Sequence, residues 1–102
     1  MNELKDIMNE IKSFADKRNW QKFHTPKNLA MAVAGEAGEL VAEFQWLTAS
    51  ESELVALTPE KLQDIRLEIA DVEIYLLRLA DVLEIDVASA VREKLAINES
   101  RF

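Results

Sequence analysis

The segment GEAGELVAEFQW, Gly35–Trp46, decides the fold, because it places acidic residues inside an alanine-rich stretch with a helical repeat. Glu36, Glu39 and Glu43 recur at steps of three and four residues, which sets them on one side of an α-helix. The apolar stripe of the same helix runs directly beside them, formed by Leu29, Val33, Leu40, Phe44 and Leu47. The pattern therefore predicts a helix whose acids point almost into the core.

The flanking sequence predicts three further helices. Thr25-Pro26 and Thr58-Pro59 each combine an N-cap residue with proline at the first helical position, and Asp86 is a third N-cap candidate. Apolar periodicity then predicts helices over residues 4 to about 17–19, 26–47, 59–84 and 87–98. No β-hairpin signal or internal repeat is present in the sequence. We expect an all-α, four-helix bundle-like domain.

The third predicted helix is apolar on two sides. One face carries the regular stripe Ile65, Ile69, Val72, Leu76, Leu79 and Leu83, and the other carries Leu67, Ala70, Ile74 and Leu77. Four helices in one chain do not easily cover both faces. The sequence therefore predicts a homo-oligomer that buries the second face between subunits.

The length, net charge and cysteine content limit the class of protein. The 102 residues suit a single domain, and 12 basic against 19 acidic residues give a formal net charge of -7. That charge disfavours nucleic-acid polymers and anionic membranes as partners. The chain has no cysteine, and its start lacks the pattern of a signal peptide, so we expect a cytoplasmic protein without a membrane segment.

A second row of acids lies on the third predicted helix, where Asp64, Glu68 and Asp71 flank the apolar stripe as the first row does. Two helices packed through their stripes would bring the rows together across one groove. Such a groove needs protonation or a divalent cation, and oxygen ligands favour a hard ion, Mg²⁺ or Mn²⁺. Rows of charge on helices are also commonly solvated. The pattern alone leaves a metal site and a solvated surface both open.

Two segments together resemble a known family. GEAGELVAEFQW followed by EIADVEIYLLRLA, residues 68–80, is similar to the Glu-x-x-Glu and Glu-x-x-Asp motifs of the MazG-like nucleoside triphosphate pyrophosphohydrolases. The run RNWQKFHTPKNLAMAVAGEAGEL, residues 18–40, resembles the dCTP pyrophosphatase branch of that all-α superfamily. The resemblance covers about residues 7–102. It implies hydrolysis between the α and β phosphates of a nucleotide, in which four carboxylates hold magnesium: Glu36, Glu39, Glu68 and Asp71.

The resemblance also implies roles for individual residues. Glu39 is our choice to orient or deprotonate the attacking water. The base would lie between Trp20 and Trp46 with polar contacts from His24 and Asn28, and Tyr75 would pack on the sugar and favour deoxyribose. The distal phosphates would meet Lys94, Asn98 and Arg101. By residue type alone, the tryptophans and the histidine also suit ordinary packing roles.

The expected substrates are deoxynucleoside triphosphates, including dCTP. Some eukaryotic relatives have a histidine near the position of Ile11, and its absence argues for a broader specificity than dCTP alone. Family habit favours a tetramer, a dimer of dimers. A non-enzymatic, antitoxin-like helical module that binds a partner is the alternative. A di-iron carboxylate bundle is disfavoured because its Glu-x-x-His pairs are absent.

Overall fold

The computed structural model describes residues 2–102, and all its regular structure in that range is helical. The four α-helices are α1 (Glu3–Lys17), α2 (Pro26–Phe44), α3 (Pro59–Val82) and α4 (Val87–Arg101). Two short 3₁₀ turns, Ser50–Ser52 and Leu54–Ala56, lie between α2 and α3. The predicted all-α class is confirmed. Helix α2 ends three residues earlier than predicted, and α4 continues three residues further.

Side-chain caps start three of the helices where the sequence predicts them. The hydroxyl oxygens of Thr25 and Thr58 accept hydrogen bonds from the backbone N–H groups three residues on, at 3.2 and 3.1 Å. The Asp86 carboxylate accepts one from the N–H of Ser89 at 2.9 Å. Each cap satisfies an amide that has no partner inside the helix.

Helices α2 and α3 form the principal packed pair, and α1 packs on α3. The pair is antiparallel: Glu43 at the end of α2 binds Lys61 at the start of α3, while His24, just before α2, binds Arg78 near the end of α3. The middle of each helix therefore faces the middle of the other. This arrangement brings the two acidic rows side by side.

Little of the apolar surface is buried within one chain. The buried apolar residues between positions 2 and 102 are Ala15, Leu29, Ile65 and Leu77. Both apolar faces of α3 keep exposed members, among them Leu67, Ile69, Ile74 and Leu76. The radius of gyration is 16.1 Å, whereas a compact chain of this length has about 13 Å. Over the same residues, no helix combines the length and the hydropathy that crossing a bilayer requires.

Candidate functional site

Three carboxylates from the paired helices meet at the middle of α2 and α3. Glu36 of α2 and Glu68 and Asp71 of α3 can each offer one oxygen such that the three oxygens lie within 4.8 Å of one another. All three side chains are partly buried. Their spacing follows from local geometry: Glu68 and Asp71 are three residues apart and share one face of α3, which α2 covers. This group is called the carboxylate cluster below.

The carboxylate cluster is electrostatically strained. Desolvation raises the pKa of Glu68 above its ordinary value, and the negative charges of Asp71, Glu36, Glu39 and Glu43 raise it further. One oxygen of Glu68, Oε2, is buried and has no hydrogen-bond partner within the described chain. An unpartnered buried carboxylate oxygen is unfavourable unless a proton or a cation satisfies it. The donor set is oxygen only, which fits a hard divalent cation.

The other acids of the two rows differ in their surroundings. Glu39 is exposed and lies outside the carboxylate cluster, although it is near enough to affect Glu68. Glu43 accepts a hydrogen bond from Lys61 Nζ at 2.9 Å, so a cation of the protein already pairs with it. Asp64 is exposed. Gly35 and Gly38 face open space within this chain.

An aromatic segment between α1 and α2 carries two of the predicted nucleotide contacts. Trp20 packs edge-on against Phe14 of α1, with ring centroids 5.7 Å apart, and its ring lies 6.0 Å from that of His24. His24 Nδ1 accepts a hydrogen bond from Nε of Arg78 at 3.2 Å. Burial lowers the pKa of His24, and the Arg78 charge lowers it further. This imidazole is therefore held neutral at physiological pH.

Asn28 and Tyr75 occupy the same end of the helix pair. The Asn28 side-chain amide donates to the carbonyl oxygen of Phe23 at 3.0 Å, which holds the connection onto the first turn of α2. Tyr75 is partly buried on α3, one turn beyond Asp71 and one turn before Arg78. It stands between the carboxylate cluster and His24 on one helix face.

Trp46 lies at the opposite end of the pair. It follows the last residue of α2 and is 87% exposed, whereas Trp20 precedes α2. The 19 residues of α2 span roughly 28 Å at 1.5 Å per residue. The structure therefore does not bring Trp20 and Trp46 together within one chain.

The predicted phosphate contacts on α4 lie on a helix that packs little on the rest of the described chain. Lys94 and Arg101 are exposed and Asn98 is partly buried. Helix α4 has no extensive packing against α1, α2 or α3. An open cavity of about 670 Å³ lies between the start of α1 and the connection from α3 to α4, and none of the carboxylate cluster lines it.

Sequence reasoning did not identify Arg78 and Lys61. Arg78 is 6% exposed and contacts both His24 and Asp81, the latter at 3.4 Å. Its signal in the sequence is a basic residue inside the apolar run LLRLA, residues 76–80, seven positions after Asp71. Lys61 stands two turns from Glu68 on α3, seven positions before it.

Known proteins are similar to this chain over its whole length. It is 39% identical over 99 residues to dCTP pyrophosphatase 1 of Homo sapiens and 38% identical to that of Mus musculus, in each case over 97% of this chain. The chain spans about 58% of the length of these two relatives. A crystal structure of a pyrophosphatase from Archaeoglobus fulgidus DSM 4304 superposes with a TM-score of 0.91 at 39% identity, over all of this chain and 94% of that one. No protein-family model matches the chain.

Proposed function

Because this chain belongs to the MazG-like family of nucleoside triphosphate pyrophosphohydrolases, we propose that it hydrolyses nucleoside triphosphates between the α and β phosphates. The products are a nucleoside monophosphate and pyrophosphate. The observation that carries the proposal is the carboxylate cluster, whose central residue Glu68 has a buried oxygen without a partner. A protein that served only as a packing module would gain nothing from this unfavourable arrangement.

The proposed cofactor is Mg²⁺, and Mn²⁺, which prefers the same oxygen ligands, would substitute for it. Glu36, Glu68 and Asp71 would hold it, with Glu39 as the fourth carboxylate. When bound, the metal supplies positive charge that polarises the phosphate and stabilises the leaving pyrophosphate. The residues fit this group because their oxygens already lie within 4.8 Å of one another and because Glu68 has an unsatisfied oxygen.

Glu39 is the proposed group that orients or deprotonates the attacking water. It is exposed and near the carboxylate cluster but outside it, so it remains accessible to solvent and to substrate. Its neighbour Glu43 is a weaker candidate, because Lys61 engages that carboxylate. A general base must reach the water that it deprotonates, whereas the ion pair with Lys61 holds the Glu43 carboxylate.

The nucleoside would extend from the carboxylate cluster along α3 towards the aromatic segment. Tyr75, Arg78 and His24 follow the cluster on that side. Tyr75 would pack on the sugar, where an apolar ring disfavours a ribose 2′-hydroxyl, and Asn28 and His24 would meet polar groups. Trp20 is the proposed wall of the base slot within the same chain.

The remaining predicted contacts require a second copy of the chain. Trp46 lies at the far end of α2 from Trp20, so a slot walled by both would take Trp46 from another subunit. Lys94, Asn98 and Arg101 lie on α4, which has no extensive packing on the helix pair, and would likewise reach the distal phosphates across an interface.

We propose a homotetramer built as a dimer of dimers. The support is the apolar surface on both sides of α3 and on the other helices, including Ile74, Met31 and Leu95. Monomers rarely leave so much apolar area in water. The four-helix bundle would then be completed between subunits.

Deoxynucleoside triphosphates, with dCTP among them, are the proposed substrates, as the names of the similar proteins suggest. The apolar Ile11 on α1 favours a range of bases. We place the activity in the cytoplasm, where it would act on the free nucleotide pool.

The test is a panel of the eight common nucleoside triphosphates, incubated with the protein and Mg²⁺, with all phosphate-containing products separated. Monophosphate and pyrophosphate in equal amounts are expected, with deoxynucleotides preferred. Glu68→Gln should abolish turnover. Glu73→Gln, the same change at an exposed position on the same helix, should not. Diphosphate and inorganic phosphate as products would overturn the proposal.

A further inference from the structure

Arg78 is the one buried charged residue between positions 2 and 102, and the chemistry proposed above does not use it. Its guanidinium has two partners: Nε donates to His24 Nδ1 at 3.2 Å, and Nη1 pairs with Asp81 at 3.4 Å. It thus joins α3 to the connection between α1 and α2. Burying an arginine is costly, and the hydrogen bonds to His24 and Asp81 offset part of that cost.

The hydrogen bond to Arg78 determines the protonation of His24. A guanidinium donates hydrogen bonds and cannot accept them, so His24 Nδ1 must present a lone pair. In a neutral imidazole the proton is then on Nε2. The only polar group that His24 can direct away from Arg78 is therefore an N–H donor.

The position of the pair relates it to the carboxylate cluster. Arg78 is seven residues after Asp71, so the two lie on the same face of α3, roughly 10 Å apart along the helix axis. Tyr75 lies between them on this face. A nucleotide with its phosphates at the cluster covers a similar distance with its sugar and base.

We propose that Arg78 is a positioning residue that fixes His24 as a hydrogen-bond donor for an acceptor oxygen of the bound nucleotide. The same contact holds the ring of His24 beside Trp20, so one buried guanidinium sets both the donor and the neighbouring aromatic wall. This inference rests on the proposed nucleotide substrate. It assigns Arg78 to substrate binding and not to the chemical step.

The acceptor oxygen belongs either to the base or to a phosphate, and inhibitors separate the two sources. If it belongs to the base, loss of the donor should weaken a nucleoside monophosphate as a competitive inhibitor and leave inorganic pyrophosphate unaffected. If it belongs to a phosphate beyond the α position, loss of the donor should instead weaken inhibition by inorganic pyrophosphate.

The first measurement needs no activity. His24 is the only histidine, so the untagged protein labelled with ¹⁵N-histidine gives one imidazole spectrum without assignment. We expect a protonated Nε2 and an unprotonated Nδ1 in the wild type at pH 7.5. In Arg78→Met, the two nitrogens should average between tautomers. A wild-type imidazole protonated at Nδ1, or one averaging between tautomers, would overturn the inference.

The second measurement is steady-state kinetics on the same proteins. Loss of one hydrogen bond should raise KM for the triphosphate about 5- to 12-fold in Arg78→Met, with kcat changed less than about twofold. His24→Leu should do the same, and the double variant should add little to either. His24→Gln should restore a KM within about threefold of the wild type, because its amide oxygen can accept from Arg78 while its NH₂ donates outward.

The outcomes separate this inference from the proposed function. A wild type that hydrolyses no nucleoside triphosphate would refute the proposed function, whatever the imidazole spectrum. An active wild type with unchanged KM in His24→Leu would refute the role of the donor. If Arg78→Met does not fold, the comparison of His24→Leu with His24→Gln still decides, because His24 is only partly buried.

Discussion

The sharpest consequence of the carboxylate cluster is that Glu68→Gln should have opposite effects on stability with and without metal. In the metal-free protein, glutamine removes a negative charge from among Glu36 and Asp71 and adds an N–H donor where Glu68 Oε2 has no partner. The variant should therefore melt at a higher temperature than the wild type in EDTA at pH 8. The oxygens lie within 4.8 Å of one another, inside the Debye length of about 8 Å at physiological salt, so KCl cannot relieve the repulsion.

Magnesium should reverse the order. A ligand present at 100 times its Kd stabilises the folded state by about 2.7 kcal/mol, which corresponds to an increase in Tm of roughly 10–20 °C for a domain of this size. A tenfold loss of affinity in Glu68→Gln would reduce this to about 1.4 kcal/mol. The assay is thermal melting by circular dichroism at fixed protein concentration, with and without Mg²⁺.

Two controls test whether the magnesium response depends on the carboxylate cluster. Glu73→Gln makes the same change at an exposed position of α3 and should respond to Mg²⁺ as the wild type does. KCl at matched ionic strength should not substitute for Mg²⁺. An equal magnesium response in the wild type and in Glu68→Gln would show that the three carboxylates do not hold the metal.

Four further predictions concern pH dependence, assembly and the sugar contact. Because the pKa of His24 is lowered, its contribution to stability is present above the unfolded pKa of 6.5 and is lost as pH falls through the folded pKa. Urea melts over a pH series should therefore show a fall in the free energy of unfolding in the wild type, and His24→Gln should lack the part of this fall that His24 causes. The raised pKa of Glu68 acts in the opposite sense: its contribution to stability is present below the unfolded pKa of 4.5 and is lost as pH rises through the folded pKa. In the absence of metal, the free energy of unfolding of Glu68→Gln should therefore lack this dependence on pH. The exposed apolar faces predict an oligomer at micromolar concentration by size exclusion with light scattering, and a monodisperse monomer would contradict this. Tyr75→Phe should keep the ratio of kcat/KM for dCTP over CTP within about twofold, whereas Tyr75→Ala should lower it by at least about fivefold, or ~1 kcal/mol; equal ratios in both variants would remove the sugar contact.

The helices could be predicted because their signals are local. Thr25, Thr58 and Asp86 satisfy backbone amides within three residues of themselves, so the helix starts do not depend on the rest of the fold. Helix ends depend more on tertiary context and were predicted within three residues. The meeting of Glu36 with Glu68 and Asp71 was also predictable, because each acidic row flanks the stripe through which α2 and α3 pack.

Contacts that depend on chain connections could not be predicted in the same way. Arginines are usually exposed, so nothing local shows that Arg78 is covered by the connection that carries His24. The separation of Trp20 from Trp46 follows from the length of α2, and the resemblance to a family does not by itself place the two tryptophans relative to each other. The small extent of packing that α4 makes on the other helices likewise has no local signal in the sequence.

The measurement that tests the central claim most directly is the identification of both products of a single turnover. The protein in excess over α-³²P-labelled dCTP, with Mg²⁺, should give labelled dCMP and unlabelled pyrophosphate, and EDTA or Glu68→Gln should stop the reaction. Labelled dCDP with inorganic phosphate, or equal turnover by wild type and Glu68→Gln, would contradict the assignment of the carboxylate cluster to α–β hydrolysis.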